Sequence, residues 1–209
     1  GGGVIGGGWV ARCLLNGITV NLYDPDPNAP SKIDEIIINA KLAFGKLIDG
    51  PAPPQGKLYF ADSIASAVAT ADLIIEAVPE RLDIKQSVYS DIESTAAADT
   101  LIASSTSGIL PSDLQDKMAT PDRLVVAHPF NPVYLLPLVE IVGGAKTSRA
   151  AIENAAHLFS QLGMHPLHVR TEIPAFIADR FLEAVWREAL WLINDGVATT
   201  IEIDDAIRY

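Results

Sequence analysis

The chain has 209 residues, of which 49% are hydrophobic and 20% charged, and its formal net charge at pH 7 is −11. This length can bury one full domain core and part of a second, whereas the acidic balance disfavours nucleic acid and anionic membranes as partners. Cys13 is the single cysteine, which excludes an intrachain disulfide and favours a reducing cytoplasm. Because no apolar run reaches membrane-spanning length and no signal peptide is evident, we expect a cytoplasmic protein.

A glycine-rich turn opens the chain with the pattern G-x-G-x-x-G, and an apolar helix follows over residues 9–15. The residues expected to face a cofactor here are Gly1, Gly3, Val4, Ile5 and Gly6. A predicted strand over 19–23 then ends in Asp24, which follows Gly6 by 18 residues. This order of turn, helix, strand and acid is typical of dinucleotide binding, although a flexible linker would also be glycine-rich. Asp24 would accept hydrogen bonds from a ribose and repel a 2′-phosphate, which favours NAD over NADP.

The middle of the chain continues the alternation of strands and helices. We predict a helix over 30–45, a loop over 51–56, a strand over 57–60 and a small helix over 63–70. A buried strand over 73–78 is interrupted by Glu76, and a helix opens near Glu80 and runs to about residue 94. The next strand, 101–104, is followed by a hydroxyl-rich run that includes Ser107. Such residues can face the cofactor crevice or merely form turns and helix caps, and the run alone does not decide between these.

Two apolar runs, 124–127 and 138–142, predict buried strands with unusual polar residues. His128 lies at the end of the first, and Glu140 lies inside the second, where a carboxylate needs a partner. An imidazole and a buried acid make a natural pair of general base and orienting group, with Asn131 as a neutral polar neighbour. The alternative is a solvated histidine at a capped strand end and a glutamate on an edge strand.

Beyond Glu140 the pattern changes from alternation to helices alone. We predict a helix over 148–162, a strand over 165–169, a long apolar helix over 176–195 and another helix from Glu202. The expected fold class is therefore α/β: a Rossmann-type NAD-binding domain over 1–172 that lacks its first strand, followed by the start of an all-α domain over 173–209. Both ends are expected to be cut. The remaining histidines suggest no metal site.

These features together predict alcohol oxidation by hydride transfer to NAD. His128 would take the hydroxyl proton, Glu140 would orient the imidazole, and Ser107 could hold the oxygen of a small-molecule substrate.

The chain also resembles the 3-hydroxyacyl-CoA dehydrogenase superfamily along essentially its whole length. The matching motifs are the glycine pattern, Asp24, Glu76-Ala-Val-Pro-Glu80 with Lys85, Ser104-Ser-Thr-Ser107, His128-Pro-Phe-Asn-Pro132 and Leu138-Val-Glu140. The resemblance implies that His128 and Glu140 are the catalytic pair, and that Ser107 and Asn131 line the site. It also implies that Glu80 and Lys85 lie near the nicotinamide half of NAD, and that the protein forms a homodimer through its helical domain.

Within the superfamily, the runs 186–200 and 203–209 resemble the L-carnitine dehydrogenase branch. Acyl-CoA members usually carry Asn-Arg where this chain has Asp179-Arg180, and an anionic carboxylate is a poor donor to a developing oxyanion. This departure suits a substrate without a thioester. The trimethylammonium group of carnitine would be stabilised by aromatic faces. Candidate aromatics are Phe130, Tyr134, Phe176, Phe181, Trp186, Trp191 and Tyr209. The alternatives are an acyl-CoA dehydrogenase, an L-gulonate-type dehydrogenase and an NAD-binding structural protein.

Overall fold

Strands and helices alternate along the chain in the computed structural model, which describes residues 1–47 and 53–209. The strands are β1 (Val20–Leu22), β2 (Leu58–Phe60), β3 (Leu73–Glu76), β4 (Leu101–Ser104), β5 (Leu124–Pro129), β6 (Leu138–Val142) and β7 (His165–Val169). The helices are α1 (Val4–Leu15), α2 (Ala29–Leu47), α3 (Ile64–Val68), α4 (Leu82–Glu93), α5 (Pro111–Gln115), α6 (Arg149–Gln161), α7 (Ala178–Asn194) and α8 (Thr200–Arg208). Of the loop predicted over 51–56, the first two residues lie outside the described part.

The strands form two sheets. β1 pairs with β2 in parallel, and the larger sheet has the order β3-β4-β5-β6-β7. Its pairs are parallel except β5 with β6, which is antiparallel. The connection over 130–137 contains no helix, whereas parallel neighbours need a long crossover, so β6 returns alongside β5 in the opposite direction.

The core lies where α1 and α6 cover the larger sheet. Every residue of β4 and β5 is buried, as expected for strands that are covered on both faces. Trp9 of α1 packs against Phe159 of α6, with ring centroids 5.3 Å apart. Burial of side chains of this size contributes roughly 1.5–3 kcal/mol each, so this contact helps to fix α1 against the sheet. The α/β architecture predicted from the sequence is confirmed.

Residues Gly1–Pro174 form one compact unit and Ala175–Tyr209 a second, smaller one. The second unit is the helix pair α7 and α8, and the substrate and dimerisation roles expected of it stay predictions. α7 begins at Ala178, later than predicted, because Ala175 and Phe176 have φ angles of 59° and 47°.

Other elements also differ from the sequence prediction. α1 begins at Val4, before the predicted residue 9. α8 begins at Thr200, before the predicted Glu202, because the side chains of Thr199 and Glu202 form a capping box. The short helix α5 and a 3-10 turn at Pro121–Arg123 were not predicted. No helix in residues 1–47 and 53–209 is long and apolar enough to cross a membrane.

Candidate active site

Polar side chains gather where three neighbouring strands of the larger sheet end. β3, β4 and β5 are mutually parallel, so the residues at and after their carboxyl ends meet at one edge of the sheet. Glu76 and Ser104 are register partners at the ends of β3 and β4, and His128 lies near the end of β5. Open α/β sheets bind ligands at this edge, which makes it the candidate active site.

The predicted pair of His128 and Glu140 is brought together by the antiparallel register of β5 and β6. The two residues are directly opposed, and Nδ1 of His128 lies 2.9 Å from Oε2 of Glu140. Only 7% of the histidine side chain and none of the glutamate side chain is exposed. The alternative of a solvated histidine and an edge-strand glutamate is wrong, because both are buried and β6 has a neighbour on each side.

This geometry determines which nitrogen of His128 hydrogen-bonds to Glu140. A carboxylate can only accept, so Nδ1 carries the hydrogen that is shared with Glu140, and Nε2 is the nitrogen at which the ring can gain or lose a proton. The ring of Phe130 packs edge-on against the imidazole, with centroids 4.9 Å apart. The arrangement can abstract a proton at Nε2 and stabilise the resulting imidazolium through Glu140.

The glycine turn lies at the amino end of α1, where unpaired N–H groups are suited to phosphates. Gly3 is the N-cap residue, with no side-chain cap, and the first turn of α1 has no acidic residue. A Cβ added at Gly3 would meet no described atom within 4 Å, so this side of the turn is open to a ligand. A Cβ at Gly6 would instead clash with the carbonyl oxygen of Gly1. The turn fits a pyrophosphate approaching its backbone closely.

Asp24 is held beside this turn after β1. One oxygen of its carboxylate accepts from the backbone N–H of Gly2 at 2.5 Å, and the other accepts from the N–H of Asp26 at 2.7 Å. The predicted ribose acceptor and the predicted phosphate turn are therefore adjacent. Carboxylate oxygens can accept more than one hydrogen bond, so Asp24 can bind a ribose without releasing the turn.

Glu80, Lys85 and Ser107 also lie together. Lys85 Nζ is 3.3 Å from Glu80 Oε2, and the backbone N–H of Ser107 donates to Glu80 Oε1 at 3.2 Å. The hydroxyl of Thr106 donates to the same carboxylate oxygen. Burial would raise the pKa of Glu80, but the hydrogen bond from Thr106 and the charge of Lys85 outweigh it and lower the pKa. Glu80 is therefore ionised at neutral pH.

Sequence reasoning missed the partners of Glu76. Its carboxylate, fully buried, accepts from the ammonium of Lys85 at 2.8 Å and from the hydroxyls of Tyr89 and Ser104 at 2.6 and 2.7 Å. The signal was present, because Glu76 interrupts an apolar strand and a buried carboxylate needs donors. Lys85 and Tyr89 are four residues apart and so share one face of α4.

Two predicted substrate residues lie outside the strands of the larger sheet. Asn131 is exposed on the connection between β5 and β6, after His128. Asp179 lies in the first turn of α7, in the second unit. Their roles in the site stay predictions, as does an aromatic cage.

Comparisons with known proteins identify the domain. Residues 1–173 match the model of the family described as 3-hydroxyacyl-CoA dehydrogenase, NAD binding domain. The whole chain is 57% identical to an L-carnitine dehydrogenase of Mesorhizobium japonicum and 56% identical to an L-carnitine dehydrogenase/betainyl-CoA thioesterase of Ruegeria pomeroyi. It covers 58% of the first protein and 43% of the second.

A solved structure gives the same result for the fold. The crystal structure of 5-formyl-3-hydroxy-2-methylpyridine 4-carboxylic acid 5-dehydrogenase, an NAD⁺-dependent dismutase, matches with a TM-score of 0.90 and 34% identity. The match covers 100% of this chain and 68% of that one. The predicted family, Rossmann-type fold and NAD cofactor are confirmed. The chain belongs to the 3-hydroxyacyl-CoA dehydrogenase family, and residues 1–173 are its NAD-binding domain.

Proposed function

We propose that the protein is an NAD-dependent dehydrogenase that oxidises the 3-hydroxyl of L-carnitine to give 3-dehydrocarnitine. The observation that carries the proposal is the buried hydrogen bond between His128 Nδ1 and Glu140, because a carboxylate at Nδ1 stabilises the imidazolium that forms when the ring takes up a proton. The substrate is supported by relatives named L-carnitine dehydrogenase that are 57% and 54% identical over the whole chain.

The proposed chemistry removes a hydride from the hydroxyl-bearing carbon and a proton from the hydroxyl group. NAD⁺ supplies the hydride acceptor when it is bound at the glycine turn. His128 Nε2 takes the hydroxyl proton as the hydride leaves the C3 carbon, so the C–O bond becomes a carbonyl. Glu140 holds the Nδ1–H and stabilises the charge that the imidazole gains. Ser107 and Asn131 are proposed to hold the substrate oxygen in line, which lowers the entropic part of the barrier.

Recognition of the trimethylammonium group is proposed to use an aromatic face and a negative charge. Phe130 is a candidate because its ring packs against His128, next to the reacting position. Asp179 is proposed to assist the cation. In a thioester-binding relative the same position would have to donate a hydrogen bond, which a carboxylate cannot do.

The direct test is NADH production by the complete protein with L-carnitine, 3-hydroxybutyryl-CoA and L-gulonate in parallel. Carnitine is expected to give the largest kcat/KM. Absence of a rate with carnitine but turnover of either other substrate would overturn the substrate and keep the dehydrogenase class. Absence of turnover with all three, together with tight NADH binding, would favour an NAD-binding structural protein.

The homodimer and the cytoplasmic location are also proposals. α7 exposes a row of large apolar side chains that would be covered in a dimer: Phe181, Leu182, Val185, Trp186, Leu190 and Trp191. Light scattering of the purified protein tests the dimer, and a monomeric mass at micromolar concentration would contradict it. Cell fractionation tests the location.

A further inference from the structure

The connection between β5 and β6, residues 130–137, carries two side chains of the candidate site. It begins at Phe130, whose ring packs against His128, and continues with Asn131, which is proposed to hold the substrate oxygen. The connection contains neither helix nor strand. Because ordering a backbone costs entropy, a segment of this kind keeps one conformation only if groups outside it hold it in place.

The middle of the connection is packed against α1. The side chain of Val133 is fully buried and lies over Gly8, since a Cβ added at Gly8 would be 2.9 Å from the Cβ of Val133. Tyr134 packs against the cluster of apolar side chains that α1 forms with α2. Helix and connection therefore approach each other as closely as a glycine permits.

Arg12 lies one turn after Gly8 on the same face of α1. Its Nε donates to the carbonyl oxygen of Val133 at 3.2 Å, and its Nη2 donates to the carbonyl oxygen of Leu136 at 3.3 Å. The centre of the guanidinium lies 5.8 Å from the centroid of the Phe44 ring, in α2. Arg12 is only 6% exposed. Removing a guanidinium from water is costly, and the two carbonyl oxygens are acceptors that offset this cost.

The two carbonyl oxygens belong to the part of the connection that follows Asn131. A guanidinium is planar and presents its N–H groups in a fixed geometry, so it holds both oxygens at a set distance from α1. Within the connection, the N–H groups of Leu135 and Leu136 donate to the carbonyl oxygen of Pro132 at 2.9 and 3.0 Å. The turn that these bonds form is therefore attached to α1 as a unit, and Asn131 directly precedes it.

Arg12 is distant from the glycine turn along its helix. It follows Gly3 by nine residues (12 − 3), which corresponds to about 13.5 Å at a rise of about 1.5 Å per residue. The guanidinium contacts the connection and Phe44 instead. Binding of the cofactor and the position of the connection can therefore be measured separately.

We propose that Arg12 is a positioning residue that fastens the connection 130–137 to α1 and thereby sets the position of Asn131 relative to His128. Arg12 acts through the backbone of the connection and not by contact with the substrate. The inference deepens the proposed dehydrogenase function and rests on it for the role of Asn131.

The first test is Arg12→Met, which keeps a long unbranched side chain and removes the donors. Arg149→Met, whose native side chain is 91% exposed, is the matched control. Hydrogen exchange followed by mass spectrometry is expected to show the amides of the connection exchanging about tenfold faster in Arg12→Met, because the segment opens locally more often. The control is expected to match the native protein. Native exchange over the connection in Arg12→Met would overturn the inference.

A double-mutant cycle separates positioning from a general effect on folding. Arg12→Met is expected to lower kcat/KM for L-carnitine about tenfold, whereas the dissociation constant of NADH changes less than about twofold. In the Asn131→Ala background the same substitution should change kcat/KM less than about twofold, because the side chain that Arg12 positions is already absent. Equal losses in the two backgrounds would overturn the inference and leave Arg12 with a structural role alone.

A second variant covers the case in which Arg12→Met does not fold. Gly8→Ala keeps Arg12 and raises the helix propensity of α1, but its methyl group would press on Val133 and displace the connection. A lower kcat/KM with native NADH affinity in Gly8→Ala supports the inference. A native kcat/KM together with faster exchange over the connection contradicts it.

Failure of the proposed substrate is distinguishable from failure of this inference. If the native protein has no rate with L-carnitine but turns over 3-hydroxybutyryl-CoA or L-gulonate, the proposed substrate fails and the cycle is measured with that compound. Hydrogen exchange needs no substrate, so native exchange over the connection in Arg12→Met overturns the inference whichever compound is oxidised.

Discussion

His128 and Glu140 are directly opposed residues on antiparallel strands, and their side chains meet at 2.9 Å in a buried environment. The pairing follows from the register of the sheet. A slip of one residue would turn one of the two side chains to the other face. The orientation of the imidazole is thus determined by the most buried strands of the domain.

Substitutions of His128 and Glu140 are expected to separate the proposed role of the base from that of the residue that orients it. His128→Gln removes the proposed base, and kcat should fall by about 10²–10⁴ while NADH binding is retained. Glu140→Gln places an amide donor beside Nδ1 and favours the tautomer with hydrogen on Nε2, so kcat should fall by about 10³–10⁴ although the histidine remains. Steady-state kinetics and NADH titration measure both. A native kcat in His128→Gln would remove His128 as the base.

Glycine substitutions test the cofactor turn. Gly3→Ala points a methyl group into open space, at a residue with φ of −67°, so the fold should keep its melting temperature. The methyl would occupy the path of the pyrophosphate, and NADH affinity is expected to fall about tenfold or more. Gly45→Ala, also in open space but in α2, is the control. Native affinity in Gly3→Ala would show that phosphates do not approach this turn.

Gly6→Ala should have a different effect from Gly3→Ala. Its methyl would meet the carbonyl oxygen of Gly1, a backbone atom that cannot move aside cheaply. We expect a loss of stability of about 1–3 kcal/mol, measured by urea denaturation, in addition to weaker NADH binding. Unchanged stability would contradict the packing of α1 on the turn.

Asp24 is expected to select NAD. Asp24→Ala removes the proposed ribose acceptor and releases the N–H groups of Gly2 and Asp26, so affinity for NADH should fall more than affinity for substrate. The variant should also reduce the preference for NAD over NADP, because the repulsion of a 2′-phosphate is removed. Asp62→Ala, at an exposed position, is the control. Equal NADH affinity in Asp24→Ala and the native protein would refute the ribose role.

The sequence predicted those candidate site residues that stand out within a local sequence pattern. An acid inside an apolar run indicated Glu140 as a candidate, and the order of turn, helix and strand indicated Asp24. The partners of Glu76 were missed because Ser104 is 28 residues away and pairs with Glu76 only through the register of β3 and β4. The short helix α5 was missed because a helix of five residues has almost no periodicity. The contact of Glu76 with Ser104 depends on strand order, which a local stretch of sequence does not specify.

Cys13 is expected to be inert in the folded protein. Its side chain is buried on α1, and burial raises the pKa of the thiol to about 12, with the nearby charge of Arg12 opposing the shift. Since the thiolate is the reactive form, a thiol reagent at pH 8 should label the native protein slowly and the urea-unfolded protein stoichiometrically. The chain has one cysteine, so the label reports this position alone. Rapid labelling of the native protein would contradict the packing of α1.

Glu93 is expected to make stability depend on pH. Its carboxylate accepts from the N–H groups of Ala119 and Thr120 and from the Thr120 hydroxyl. Burial would raise its pKa, but these hydrogen bonds and the charge of Arg123 outweigh burial and lower the pKa below the ordinary value of 4.5. A lowered folded-state pKa stabilises the protein above the unfolded pKa, and this contribution is lost as the pH falls through the folded value.

Glu93→Gln should therefore lower the free energy of unfolding by about 1 kcal/mol at pH 7, after allowance for solvent screening of a partly exposed group. The difference from the native protein should shrink as the pH falls below about 4.5, because native Glu93 then becomes protonated and resembles the amide. Urea midpoints between pH 7 and pH 3 measure this. Glu153→Gln, which removes an exposed charge paired with Arg149, is the control. If the difference in the free energy of unfolding between Glu93→Gln and the native protein stays constant or grows on acidification, ionised Glu93 does not hold the turn at Ala119 and Thr120.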